Sequence, residues 1–139
     1  MAVTTTPALP QTPQLGVAQL THSQSANTLA TLVTGGGNGT KCNSLWATNT
    51  DASNAYLTQV WLTRSSTNYL LGTVNVPLSS GNTAAAPSVN ILSGITGLPL
   101  DSDGNPYLFL QSGDVLAVSA TTQVASSQTL TAAANYANF

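Results

Sequence analysis

The chain has 139 residues, the size of one ordinary domain, and a chain of this length buries about two-thirds of its surface on folding, so a core is available without disulfides or metals. Hydrophobic residues make up 42%, but charged residues only 4%, against about 25% in a typical soluble domain. Lys41 and Arg64 are the only bases and Asp51, Asp101, Asp103 and Asp114 the only acids, which excludes a basic stripe for nucleic acid and leaves little material for acid–base catalysis.

Residues 1–14 carry Pro7, Pro10 and Pro13 among Thr and Gln. Prolines at this spacing favour an extended arm with few ladder hydrogen bonds. These prolines are candidate partner contacts, on an arm expected to order against a neighbour by strand addition; a frayed terminus is the alternative. The start, Met-Ala-Val-Thr-Thr-Thr-Pro, lacks the basic residue and apolar run of a secretory signal. No stretch approaches the roughly 18 apolar residues of a membrane helix. The expectation is a soluble protein made in the cytoplasm, with no membrane partner.

From residue 15 to residue 139 the pattern is short strands separated by turn clusters. Leu15 to Thr21 alternates apolar and small residues, and Thr28 to Thr34 is rich in β-branched residues. Gly35-Gly36-Gly37-Asn38-Gly39 breaks the chain and reads as a hairpin loop; a phosphate loop would need Lys-Ser/Thr and a helix next, whereas Lys41 precedes Cys42 and a strand. Lys41 to Asn49 is the next strand, followed by a turn over Thr50 to Asn54. In Ala55 to Thr63, Tyr56, Thr58, Val60 and Leu62 fall on one face and Leu57, Gln59 and Trp61 on the other. After a polar turn at Arg64 to Asn68, Tyr69 to Leu78 places Leu70, Val74, Val76 and Leu78 on one parity. Ala84 to Leu92 reads as a weaker edge strand. Asp101 to Pro106 is a turn, and strands follow at Tyr107 to Leu110, Val115 to Ala120 and Thr129 to Tyr136. About eight short strands at spacings near ten residues, with no helical period, predict an all-β fold: an antiparallel β-sandwich of the jelly-roll kind.

Candidate chemistry is sparse. His22 and Cys42 are the only residues of their types; a lone cysteine in a core strand behaves as a small hydrophobe, and no G-x-S-x-G elbow accompanies the serines. No catalytic residue is assigned, and the chain is expected not to be an enzyme. Asp101-Ser102-Asp103-Gly104-Asn105 matches the first half of a calcium loop, making Asp101, Asp103 and Asn105 the one metal candidate. The closing glutamate is missing, and Asp and Asn also build turns by bonding their own backbone, so the plain turn is the preferred reading and no cofactor is expected. Trp61 and Phe139 are candidate partner contacts, since large aromatics anchor interfaces; a sugar-stacking platform at Trp61 is the alternative.

At Gly39 to Thr50 the sequence reads Gly-Thr-Lys-Cys-Asn-Ser-Leu-Trp-Ala-Thr-Asn-Thr, followed by Ala55-Tyr-Leu-Thr-Gln-Val-Trp-Leu, Leu71-Gly-Thr-Val-Asn-Val-Pro-Leu and Leu110-Gln-Ser-Gly-Asp-Val-Leu-Ala-Val-Ser-Ala. This ordered series resembles small tailed-phage virion proteins. Cys42, where Val or Ile is usual, and the long Ala84–Leu100 region depart from their pattern. The resemblance implies a jelly-roll β-sandwich, a head decoration or cement protein that bridges major capsid subunits. It also implies self-association as a dimer or trimer and a place on the capsid surface of a virion. A tail-associated or carbohydrate-binding module is the alternative.

Overall fold

The computed structural model describes residues 12–139. Nine strands run through them: β1 (Thr12–Thr21), β2 (Ala30–Thr34), β3 (Thr40–Asn49), β4 (Tyr56–Arg64), β5 (Thr67–Val76), β6 (Val89–Asn90), β7 (Leu108–Leu110), β8 (Val115–Ala120) and β9 (Thr129–Asn138). Among the described residues the only helical element is a single 3-10 turn at Leu92–Gly94.

The strands form two antiparallel sheets packed face to face, the expected β-sandwich. The first has the order β1-β9-β3, with β6 and β7 both on the far side of β3; the second has the order β2-β8-β4-β5. The pairing is nested. The β4–β5 hairpin is innermost, β3 pairs with β6 and β7 around it, β2 pairs with β8, and β1 closes on β9 from Thr12↔Asn138 to Thr21↔Thr129. β6 meets β3 at Trp46 and Ala47, and β7 meets it at Cys42 to Thr40, so the two are pieces of one interrupted edge line.

Period-two alternation makes the core. Gly16, Ala18 and Leu20 of β1 point inward, as do Tyr56, Thr58 and Val60 of β4. Leu45, Val76, Leu116, Val118 and Leu130 meet them from the other strands, all essentially inaccessible. The interruption of the edge line is also a core element: Ile91, Leu92 and Ile95 turn in between the sheets, with Ile95 against Gly72 and Gly94 against Val74.

Four expectations change. Gly35–Gly39 is not a hairpin: β2 lies in the second sheet and β3 in the first, so the run crosses between layers. Gly35 serves close approach, since a Cβ on it would stand 2.0 Å from the Gln111 carbonyl oxygen, and Gly39 supplies a positive φ. Leu70 and Leu78 do not share the face of Val74 and Val76: β5 ends at Val76, and Leu78 lies beyond it, exposed. A bulge opposite Val60/Trp61 absorbs Leu71, which flips Leu70 outward. Only Val89–Asn90 of the Ala84–Leu92 segment is strand, because the chain there leaves the sheet to fill the core. Finally, Thr12 to Gln14 pair with β9, so the sheet starts before residue 15 and takes in Pro13; Pro7 and Pro10 lie outside the described residues.

Arg64 and Asp114 sit at one end of the sandwich and Asp51 at the other. At one end Arg64 grips Asp114 with two hydrogen bonds, Nε to Oδ1 at 2.8 Å and Nη2 to Oδ2 at 2.6 Å, while the Gln111 N–H donates to Oδ2 at 2.8 Å. The Arg64 guanidinium holds the Asp114 carboxyl below its ordinary range. At the other end Asp51 accepts from the Asn54 side-chain amide (2.9 Å), the Tyr56 hydroxyl (2.7 Å) and the Ser53 N–H (2.8 Å). Those donors hold its carboxyl down at about 2. The Tyr56 hydroxyl in turn accepts from the Ala125 N–H, which ties the β3–β4 crossing to the β8–β9 crossing.

Candidate functional site

Cross-strand rows define what each sheet shows to solvent. On the first sheet one outward row runs Val17–Ala133–Trp46–Asn90, the next runs Leu15–Asn135–Ser44, and a third runs Pro13–Ala137–Lys41–Phe109. Leu15, Val17 and Phe109 are 56%, 55% and 56% exposed. A solvated antiparallel face normally carries polar side chains outward. Here the outward positions of β1 and β9 are apolar, hydroxyl or amide, and Lys41 is the one charge in these rows.

The third row ends in an aromatic cluster. Tyr107 meets Phe109 edge to face at a 5.3 Å centroid separation, and Phe109 meets Phe139 at 6.0 Å. The Lys41 ammonium lies 4.5 Å from the centre of the Tyr107 ring, so its charge is directed onto a π-face. Gly39, at φ +95°, turns the chain into β3 beneath this cluster, and its carbonyl accepts from the Phe139 N–H at 3.2 Å.

The structure therefore brings two sequence candidates, Pro13 and Phe139, to the same end of one sheet face. Trp61 lies elsewhere, half-buried on the outer face of the second sheet. Its indole N–H donates to the Ser119 hydroxyl at 2.9 Å, and that hydroxyl donates to Gln59 at 3.2 Å. Leu15, Val17, Trp46 and Phe109 were not singled out from sequence. The available signal was apolar residues on both parities of a strand, as in Leu15/Val17 beside Ala18/Leu20 and in the run Leu108-Phe109-Leu110: an alternating strand buries only one parity.

The other candidates are kept apart. His22 follows the Thr21–Thr129 pair and Cys42 stands opposite Tyr136, so about seven residues of strand, roughly 23 Å at ~3.3 Å per residue, separate them. The His22 Nδ1 instead faces the Val124 carbonyl oxygen at 2.9 Å. Cys42 is fully buried at the β3 bulge, where burial pushes its thiol up to about 11. Asp101 spends one carboxylate oxygen on the N–H groups of Asp103 and Asn105, both at 2.9 Å, with Gly104 at φ +83°; this is an Asx turn. Those backbone N–H groups, that of Asn105 first, hold the Asp101 carboxyl below its ordinary range. Among the described residues no three His, Cys, Asp or Glu side chains converge as a metal site would require.

No known protein family matches the chain, and no curated protein matches it.

Proposed function

We propose that this protein is a phage virion structural protein of the head decoration type, a jelly roll that binds the outer capsid surface and bridges major capsid subunits. The observation that carries the proposal is the outer face of the first sheet, where Leu15, Val17 and Phe109 stand exposed on a surface with a single charge. Covering such a face costs little, because hydroxyls and amides are cheaper to desolvate than ions and the apolar side chains gain by burial. Standard interfaces bury about 1,200–2,000 Å² in total, and several contacts per copy reinforce one another on a repeating lattice. A near-neutral protein has little electrostatic steering to offer a diffusing substrate, whereas docking on a lattice needs none. The nested strand order, β1 on β9, β2 on β8, β3 on β6 and β7, and β4 on β5, supports the jelly-roll part of the reading.

The test is occupancy on purified particles. Wild-type protein is expected on the outer head surface by cryo-electron microscopy. The double variant Leu15→Ser/Val17→Ser is expected to lose most of that occupancy while unfolding at the wild-type temperature. Full occupancy of the variant would remove the first sheet from the proposal, and density confined to the tail would overturn it.

Trp61 supports a second reading, a glycan-binding module, because a half-exposed indole flanked by Gln59 suits a sugar face. Calorimetric titration against a glycan panel decides it: heat that disappears in Trp61→Ala favours this reading, and flat titrations remove it.

A further inference from the structure

An open sheet ends in strands whose outer backbone groups can pair with another chain, and most edges of this sandwich are blunted against that. β1 carries Pro13, and its Gly16 lies so close to the Leu32 carbonyl of β2 that the two sheets meet along that side. β2 has only five residues, with a register shift between Thr31 and Val33, and the far edge of the first sheet is split into β6 and β7. β5 is the exception. Its ten residues, Thr67 to Val76, contain no proline and no charge. Among the described residues, no backbone hydrogen bond outside its ladder with β4 involves any of them.

The pairing pattern shows which backbone groups of β5 face away. The Thr121 N–H donates to the Leu57 carbonyl at 3.0 Å, so Leu57 and every second residue after it on β4 turn their backbone toward β8. The residues opposite them on β5, Asn75, Thr73, Leu70 and Asn68, therefore turn theirs outward. The bulge at Leu71 breaks this two-residue spacing midway, between Leu70 and Thr73. A regular strand would match only half of such an edge. A second β5, run antiparallel, matches all of it, because it carries the same interruption at its own centre: Asn68 then faces Asn75 of the second copy, and Leu70 faces Thr73 of the second copy.

We infer that β5 is a homodimerisation edge, joining two copies across a two-fold axis so that their β2-β8-β4-β5 sheets become one continuous sheet. The side chains agree with this register. Tyr69 and Leu70, 51% and 48% exposed, are set opposite Val74 and Thr73 of the second copy and gain by burial. No charge meets a like charge: Arg64 stands before the first residue of β5, and the antiparallel arrangement puts the two Arg64 side chains at opposite ends of the joint. Ten residues a side compare with roughly 20–30 in a standard interface, so the dimer is reversible and forms at concentrations on the order of micromolar.

This inference does not rest on the capsid reading, which uses the face of the other sheet. Analytical ultracentrifugation of the full chain is expected to show a monomer–dimer equilibrium; monomer alone up to about 1 mM would overturn the inference. Cysteine pairing tests the register. Asn68→Cys and Asn75→Cys variants, mixed and treated with diamide, are expected to form a disulfide-linked dimer, since opposed residues of a hydrogen-bonded pair have Cα atoms about 5.5 Å apart. Each variant alone is expected to stay monomeric in the same treatment, because its cysteine lies about seven residues, ~23 Å, along the joint from its counterpart, and Cys42 is buried. No cross-link in the mixture, or equal cross-linking of the separate variants, would overturn the pairing. Asn68→Lys/Asn75→Lys is expected to weaken the dimer about tenfold, and equimolar Asn68→Asp/Asn75→Asp to restore it, while Leu15→Ser/Val17→Ser leaves it intact. A dimer lost in the Leu15/Val17 variant and kept in the Lys variant would move the interface to the first sheet and overturn the inference.

Discussion

The two sheets use the same alternation to bury one side of each strand, yet they present unlike faces to solvent. On the second sheet the outward polar groups satisfy one another: Trp61 donates to Ser119, Ser119 to Gln59, and Thr63 to Asn68 at 2.6 Å. On the outward parity of the first sheet, among the described residues, hydroxyl–amide pairs occur at Gln19–Thr131 and Asn135–Ser44. Between them Leu15 and Val17 stand in solvent beside the shallow floor that Ala133 and Ala137 provide. Burial of one parity is what folding demands; the other parity is free, and its chemistry distinguishes a face that is complete in itself from one that gains by being covered.

Substitutions can break or sharpen that contrast. The largest effect is expected at the joint between the sheets. A Cβ on Gly16 of β1 would stand 2.2 Å from the Leu32 carbonyl oxygen of β2, so Gly16→Ala should cost about 3 kcal/mol or more in denaturant unfolding and distort both faces together. Trp61→Ala should lower stability by about 2 kcal/mol, because its half-buried ring packs on the second sheet and its loss leaves the Ser119 hydroxyl short of a donor. Beneath the same face, the buried Thr58 hydroxyl has no hydrogen-bond partner; Thr58→Val keeps the shape and should raise stability by about 1 kcal/mol. Leu15→Ser and Val17→Ser, on the uncovered face, should each change stability by less than about 0.5 kcal/mol. A loss in the free monomer as large as that of Trp61→Ala would mean that this face already supports the domain on its own.

Acid titration tests the ends of the sandwich, independently of the faces. The folded pKa of Asp51, at about 2, lies below that of an unfolded aspartate, near ~3.9, and Asp114 is lowered in the same direction. Both carboxylates therefore contribute stability fully above about pH 5 and lose it as the pH falls through their folded values. The unfolding temperature should drop on acidification below about pH 4. Asp51→Asn should unfold at a lower temperature at neutral pH and respond less steeply to acid, which calorimetry across that range would show.

Much of the strand content was legible. The runs at Lys41–Asn49, Ala55–Thr63 and Val115–Ala120 coincide with β3, β4 and β8 to within a residue, because alternation and turn chemistry are local properties that neighbouring residues encode. The face of Leu70 was not legible, since one bulge at Leu71 inverts the parity of everything before it and depends on the partner strand. The interaction face was half legible. Phe139 was marked as a large aromatic, but its neighbours Phe109 and Tyr107 lie about thirty residues earlier and meet it only because β7 and β9 both pair with β3.

The division is clearest at the turns. Gly35–Gly39 and Arg64–Asn68 both read as reversals, and both are; the first carries the chain from one sheet to the other, the second closes a hairpin at Ser65 and Ser66, both at positive φ. By itself the sequence determined that the chain reverses there, that its strands alternate, and that its few charges sit mostly in or beside turns. Only the tertiary structure decided which sheet each strand joins, and with it which apolar parity is covered. Those choices rest on pairings as distant as Thr12 with Asn138, whose register no local pattern carries.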